Sequence, residues 1–150
     1  MAETTLTNEI LIAAPPEKVF DYVSRPDLWH EWHPASKSAV LPRVPLQRGD
    51  AFGEIITVTY PFIKISRKTE YRVTLSERAK VWEVQGSSSL FSLTIHYDFF
   101  SEGATTRFRR TLTYRVQGLL GWFEPVVVRP KMRRQSAFAL SNLKRKLEAG

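Results

Sequence analysis

The chain has 150 residues and no cysteine, and its hydrophobic and charged fractions, 43% and 25%, are typical of globular proteins. This length fits one domain, residues 1–150, and the lack of cysteine excludes disulfides and thiolate-bound metals. Lys and Arg (22) outnumber Asp and Glu (15), for a formal net charge of +7, so an anionic partner is permitted without being identified.

The N-terminal segment predicts one strand and two short helices. Residues 5–13 read as a strand, which Pro15 ends because proline lacks the amide that a sheet requires. Apolar residues then recur at helical spacing: Val19, Phe20 and Val23. This spacing predicts a helix to about Ser24, and Asp27 is placed to open a second short helix through Trp32.

Six more strands are predicted from alternating apolar and polar residues between turn signals. The predicted strands are residues 36–41, 51–60, 65–76, 81–88, 90–101 and 105–116. Glycines at Gly49, Gly86 and Gly103 mark turns between them.

The chain is predicted to end in a long helix that begins around residues 122–125 and runs to about Leu147. Its expected apolar stripe consists of Val126, Val127, Ala137, Leu140, Leu143 and Leu147. Pro130 falls inside this span, so we expect it to kink the helix or to make it begin late.

The opening pattern carries a family resemblance. A strand, the run Ala14-Pro15-Pro16-Glu17, a short helix, and Trp29 and Trp32 followed by Pro34 together resemble the start of START-like (SRPBCC, polyketide cyclase/dehydrase-like) proteins. The resemblance implies an α+β helix-grip fold, in which a seven-stranded antiparallel sheet wraps around the C-terminal helix. It also implies a cavity between sheet and helix for a small hydrophobic molecule such as a lipid, polyketide or aromatic compound.

Three charged residues interrupt the predicted apolar faces. Because successive strand residues point to opposite sides, Glu54, Arg67 and Arg110 fall in line with apolar neighbours. They are interpreted either as a structural pair or a register error, or as anchors for a carboxylate, phosphate or phenol of a ligand. The full set of candidate ligand-binding residues is Glu54, Arg67, Tyr71, Trp82, Tyr97, Arg110, Tyr114 and Trp32.

Other kinds of site receive little support from the sequence. His30 and His33 lack a third ligand, so neither a metal nor a cofactor is predicted, and the two tryptophans beside them are interpreted as core residues or as part of the cavity mouth. His96 falls on the polar side of its strand with Asp98, which argues against a nucleophilic triad inside the cavity. A glycine-rich phosphate loop is also lacking.

Two functions compete, and the sequence does not decide whether the protein is an enzyme. The favoured one is binding or carriage of a small hydrophobic ligand. The alternative is a polyketide cyclase, aromatase or dehydrase in which Arg110 or a tyrosine stabilises an enolate and Glu54 moves protons. If the charged residues converge on one open cavity and the pKa of the carboxyl is perturbed, the enzyme is favoured. If they pair and close the cavity, the carrier or a purely structural role is favoured.

A third function is an interaction module. Its apolar surface would consist of Leu119, Leu120, Trp122 and Phe123. The polar start of the chain suggests a cytoplasmic protein, and no apolar run is long enough to span a bilayer, so membrane contact is expected to be peripheral only. Nucleic-acid binding is not expected. It is kept as a lesser option for the strand face that carries Arg107, Arg109 and Arg115. The oligomeric state is not indicated.

Overall fold

The computed structural model describes residues 3–149, and the elements follow the predicted order. The strands are β1 (Thr4–Ile12), β2 (Ser36–Val40), β3 (Ala51–Thr59), β4 (Lys64–Glu77), β5 (Val81–Ser87), β6 (Phe91–Glu102) and β7 (Thr105–Val116). The helices are α1 (Pro16–Val23), a 3-10 helix (Pro26–Glu31), a 3-10 helix (Gly118–Phe123), a π-helical turn (Glu124–Val128) and α2 (Arg129–Ala149).

The seven strands form one antiparallel sheet in the order β1-β7-β6-β5-β4-β3-β2. From β2 to β7 each strand pairs with the next along the chain, and β1 pairs with β7, with Ile10 opposite Phe108. The long helix α2 packs along the sheet and contacts β1. The predicted α+β helix-grip architecture is confirmed.

The two short helices also form where they were predicted, although the second is a 3-10 helix. Pro16 opens α1, where a missing amide costs nothing, and Glu17 adds a negative charge to its first turn. The indole of Trp29 donates through Nε1 to the carbonyl oxygen of Val23 at 2.7 Å, which fixes the second helix beneath the first.

The C-terminal helix begins late. Pro130 lies in the first turn of α2, and the preceding residues form 3-10 and π turns instead of α-helix. The predicted stripe is therefore wrong at Val126, Val127 and Ala137, which are exposed, because the turns change the phase of the helix. The buried face consists of Val128, Ser136, Ala139, Leu140, Leu143 and Leu147.

One strand departs from simple alternation. The pairing of β4 with β5 shifts register between Val73 and Leu75, which is a bulge. Simple alternation places Leu75 on the same face as Val73, but Val73 is 1% exposed and Leu75 is 39% exposed, because the bulge turns Leu75 away from the buried face.

The core beneath the short helices is aromatic. Trp29 makes edge-to-face contacts with Phe52, Tyr71 and Trp82 at centroid distances of 6.0, 6.0 and 5.9 Å. Trp82 in turn stacks on Tyr97 at 5.4 Å. These rings fill one end of the concave face of the sheet.

Candidate functional site

A cavity lies between the concave face of the sheet and α2. The volume of this cavity is about 70 Å³. Strands β3, β4, β6 and β7 supply most of its wall, and α2 closes it with Met132, Gln135 and Ser136. Apolar and aromatic side chains dominate the wall, as is usual for sites that bind small organic molecules.

The cavity wall includes seven of the eight residues singled out in the sequence. They are Glu54, Arg67, Tyr71, Tyr97, Arg110, Tyr114 and Trp32. Trp82 is not on the wall: it is fully buried between Trp29 and Tyr97, because its part of the buried face lies under the short helices. Whether the seven residues bind a ligand stays a prediction.

Glu54 is a buried carboxyl, 2% exposed, on β3. Its Oε2 accepts a hydrogen bond from Ser36 Oγ at 2.5 Å, and its Oε1 accepts one from Tyr71 Oη at 3.1 Å. Burial raises the carboxyl pKa to about 7, although these two hydrogen bonds and the positive charge of Arg110 oppose the shift. Glu54 is therefore poised to gain or lose a proton near neutrality.

Arg110 is a buried cation, 4% exposed, on β7 directly opposite Tyr97. Its Nη1 donates to Ser136 Oγ on α2 at 3.1 Å. Its Nε, although buried, has no acceptor among the described residues. The alternation that placed Arg110 on the apolar face is thus correct, and the residue faces α2 across the cavity.

Arg67 occupies a different position although it shares a face with Tyr71. It is exposed near the start of β4, where Nε donates to Ser89 Oγ at 3.0 Å and Nη1 to the carbonyl oxygen of Ser66 at 2.8 Å. It borders the cavity at its solvent side, so it forms part of the mouth and not of the interior.

The tyrosines of the wall differ in what they can donate. Burial raises the pKa of Tyr97 to about 12, and burial together with Glu54 raises the pKa of Tyr71 well above its usual value. Both hydroxyls therefore keep their protons at neutral pH. The hydroxyl of Tyr114 is already engaged, because it donates to Glu124 Oε2 at 2.6 Å and Glu124 is also paired with Arg129.

His33 is a wall residue that the sequence interpretation missed. Its Nδ1 accepts the backbone N–H of Ala35 at 3.1 Å, which places the proton of the neutral ring on Nε2. Loss of bulk water around the ring lowers its pKa to about 3, and Arg110 acts in the same direction. His33 is therefore neutral at physiological pH.

Gln135 and Ser136 were also missed. Their position follows from the phase of α2, which the π turn before Arg129 resets and which a helix starting near Trp122 does not predict. Three buried polar atoms on wall residues have no partner among the described residues: Trp32 Nε1, Arg110 Nε and Gln135 Oε1. Unpaired buried donors and acceptors are costly, so these three atoms are placed to hydrogen-bond to a guest or to water inside the cavity.

Other surfaces offer less specific features. His96 lies outside the cavity wall, between Glu83 Oε1 at 3.0 Å and Asp98 Oδ1 at 3.1 Å. Within residues 3–149, no group of three or more His, Asp or Glu side chains is arranged to hold a metal, and no helix is long and apolar enough to cross a membrane.

The basic face and the apolar turn predicted from the sequence are both on the surface. Arg107, Arg109 and Arg115 each pair with a glutamate, which reduces the charge available to phosphate. Trp122 and Phe123 are 81% and 48% exposed, so burial does not exclude the interaction-module interpretation, which stays a prediction.

The fold is that of a helix-grip protein with an internal, mainly apolar cavity between the sheet and the long helix. The chain belongs to the family described as polyketide cyclase / dehydrase and lipid transport, whose model matches residues 3–148. Membership supports a ligand-binding or cyclase-type role. A search of curated proteins finds no match.

Solved structures share the fold across nearly the whole chain. A Thermus thermophilus protein is 17% identical with a TM-score of 0.74, covering 97% of this chain and 98% of its own. A conserved Geobacillus kaustophilus protein is 12% identical with a TM-score of 0.78, covering 96% and 95%. The ZhuI aromatase/cyclase from a Streptomyces species is 11% identical with a TM-score of 0.67, covering 99% of both chains.

Proposed function

We propose that this protein binds and carries a small, mainly apolar or aromatic molecule in the cavity between the sheet and α2. The observation that carries the proposal is the combination of an apolar wall with three buried polar atoms that lack partners. Apolar contact supplies most of the affinity in such a site, and a few polar groups orient the guest.

The size of the cavity limits what fits without movement. A space of about 70 Å³ is more than the roughly 10–15 Å³ that one water needs. A guest with two rings has to displace side chains of the wall, and Met132 and Gln135 are suited to this because both are unbranched and only half-buried.

The first test is calorimetric titration with 2-naphthol, a two-ring probe with one hydroxyl. We expect saturable binding with a dissociation constant below about 1 mM. The variant Ile56→Trp places a large ring on the cavity wall and is expected to abolish binding.

The matched control is Ile55→Trp. Ile55 is the preceding residue on β3, is 37% exposed, and does not border the cavity. We expect this variant to bind 2-naphthol like the wild type. Absence of binding by the wild type, or equal binding by both variants, contradicts the proposed function.

A second candidate function is acid–base catalysis of the cyclase type. It is favoured by Glu54 and Arg110 inside one open cavity with Arg67 at its mouth, and by the carboxyl pKa of about 7. In this reaction the Glu54 carboxylate removes a proton from the carbon beside a ketone. The C–H electrons form a C=C bond, the oxygen becomes negative, and the Arg110 guanidinium stabilises that charge.

This candidate is tested by deuterium exchange at the carbon beside the carbonyl of 1-tetralone in D₂O, followed by NMR. We expect wild-type protein to accelerate exchange, with a rate that rises with pH through about 7 as Glu54 ionises. The variant Glu54→Gln should lose the acceleration. Exchange at the uncatalysed rate with the wild type, under conditions in which 1-tetralone is bound, excludes this function for the site.

A further inference from the structure

Arg110 is a buried cation without a carboxylate partner. It is 4% exposed, its guanidinium hydrogen-bonds only to the neutral hydroxyls of Ser136 and Tyr97 among residues 3–149, and its Nε has no acceptor there. Buried charges in proteins are normally paired, because removing a charge from water is costly. The missing negative charge is therefore the feature that needs explaining.

Glu54 does not fully supply that charge. Both of its oxygens already accept hydrogen bonds, from Ser36 and Tyr71, and neither lies within ion-pair distance of Arg110. Its carboxyl pKa stays at about 7 despite the attraction of Arg110, so below neutral pH Glu54 is mostly protonated and uncharged.

The other groups that face Glu54 and Arg110 do not change this balance. Tyr71 on β4 and Tyr97 on β6 keep their protons, and His33, after the second short helix, stays neutral. The α2 residues that reach the cavity are uncharged, and Arg67 at the mouth adds a second cation. Near neutral pH, Glu54 is thus the group of the interior whose charge changes.

We propose that the ligand carries a carboxylate on a flat apolar body, and that Arg110 binds this group as an anion. The proposal rests on the function proposed above and names the chemical class of its ligand. A carboxylate matches one guanidinium in charge and planar geometry, whereas a phosphate dianion would carry one negative charge more than Arg110 neutralises, because Arg67 lies at the mouth and is bonded to Ser89 and Ser66. Trp32 Nε1, which also lacks an acceptor, is a second donor on the same wall.

Binding of an anion at Arg110 has a consequence for Glu54. A second negative charge in the same cavity disfavours ionised Glu54, so the complex holds Glu54 protonated. Above about pH 7, binding therefore takes up one proton from solvent, and the affinity for the anion falls as pH rises.

The test compares 2-naphthoate with 2-naphthamide, which has nearly the same shape and no charge, by calorimetric titration at pH 6. We expect wild-type protein to bind the carboxylate about tenfold more tightly, as one charge-assisted hydrogen bond predicts. The variant Arg110→Gln should lose this preference. The control Arg109→Gln should keep it, because Arg109 lies on the opposite face of β7 and pairs with Glu9.

A second measurement keeps the proposal falsifiable if Arg110→Gln does not fold. Between pH 6 and 8.5, wild-type affinity for 2-naphthoate should fall while affinity for 2-naphthamide stays constant, and Glu54→Gln should remove the fall. Equal binding of both probes by the wild type overturns the carboxylate proposal and leaves the proposed function standing. Binding of neither probe, nor of 2-naphthol, overturns both.

Discussion

At the scale of single residues, the cavity contains groups whose charge is set by burial. Glu54 has a folded-state pKa of about 7 against an ordinary value of 4.5, so between these values the folded protein binds more protons than the unfolded chain. The free energy of unfolding therefore decreases as pH rises through this window, by about 3 kcal/mol in total.

The variant Glu54→Gln isolates this contribution. We expect the free energy of unfolding of the variant, minus that of the wild type, to rise by about 3 kcal/mol between pH 4.5 and 7 and then to stay constant. Urea denaturation of both proteins across this range measures the difference. A difference that does not change with pH contradicts a raised carboxyl pKa at Glu54.

His33 behaves in the opposite sense. Its folded-state pKa of about 3 lies below the ordinary 6.5, so the unfolded chain binds more protons in this window and stability is lost as pH falls through it. We expect the NMR signals of the His33 ring to stay constant from pH 8 to 4.5 in the folded protein. A titration midpoint near 6.5 would show that water reaches the ring.

At the scale of elements, Gly86 on β5 allows this strand to pack closely against β4 of the cavity wall. A Cβ at Gly86 would lie 2.4 Å from Cδ1 of Tyr71 on β4, and that ring is 3% exposed and stacked on Phe52 at 4.9 Å. The ring has little room to move, and its hydroxyl holds Glu54.

We therefore expect Gly86→Ala to destabilise the protein by about 1–3 kcal/mol, the usual cost of overpacking a buried site. The control is Gly53→Ala on β3, where the nearest atom, at 3.0 Å, is Cε of the flexible Lys68 side chain. This control should change stability by less than about 0.5 kcal/mol. Equal effects of the two variants in urea denaturation would show that Tyr71 adjusts freely.

Element patterns also determine how far the sequence could predict the site. Alternation is a local property of the backbone, so it placed Glu54 and Arg110 on the buried face correctly. It could not show the bulge that exposes Leu75 or the π turn that resets α2, because both depend on packing between elements. For the same reason it could not separate Trp82, under the short helices, from residues bordering the cavity.

At the scale of the whole molecule, the four tryptophans of the sequence divide into three buried rings and one exposed ring. Trp29, Trp32 and Trp82 lie between the sheet and the short helices, whereas Trp122 lies in the turn before α2. The buried rings hold the layers together, and Trp122 contributes apolar surface next to exposed Leu119 and Phe123.

This division predicts opposite behaviour for two alanine variants. Trp82→Ala removes a ring that is 0% exposed and should cost about 3–5 kcal/mol, whereas Trp122→Ala, at a site 81% exposed, should change stability by less than about 0.5 kcal/mol. Thermal and urea denaturation measure both, and a large loss in Trp122→Ala would contradict the exposed position of that turn.

The same variant tests the interaction-module interpretation, because Trp122→Ala is expected to stay folded. If wild-type protein sediments with anionic vesicles and the variant does not, the interpretation is supported. If wild-type protein does not sediment with them, an anionic membrane is excluded as the partner.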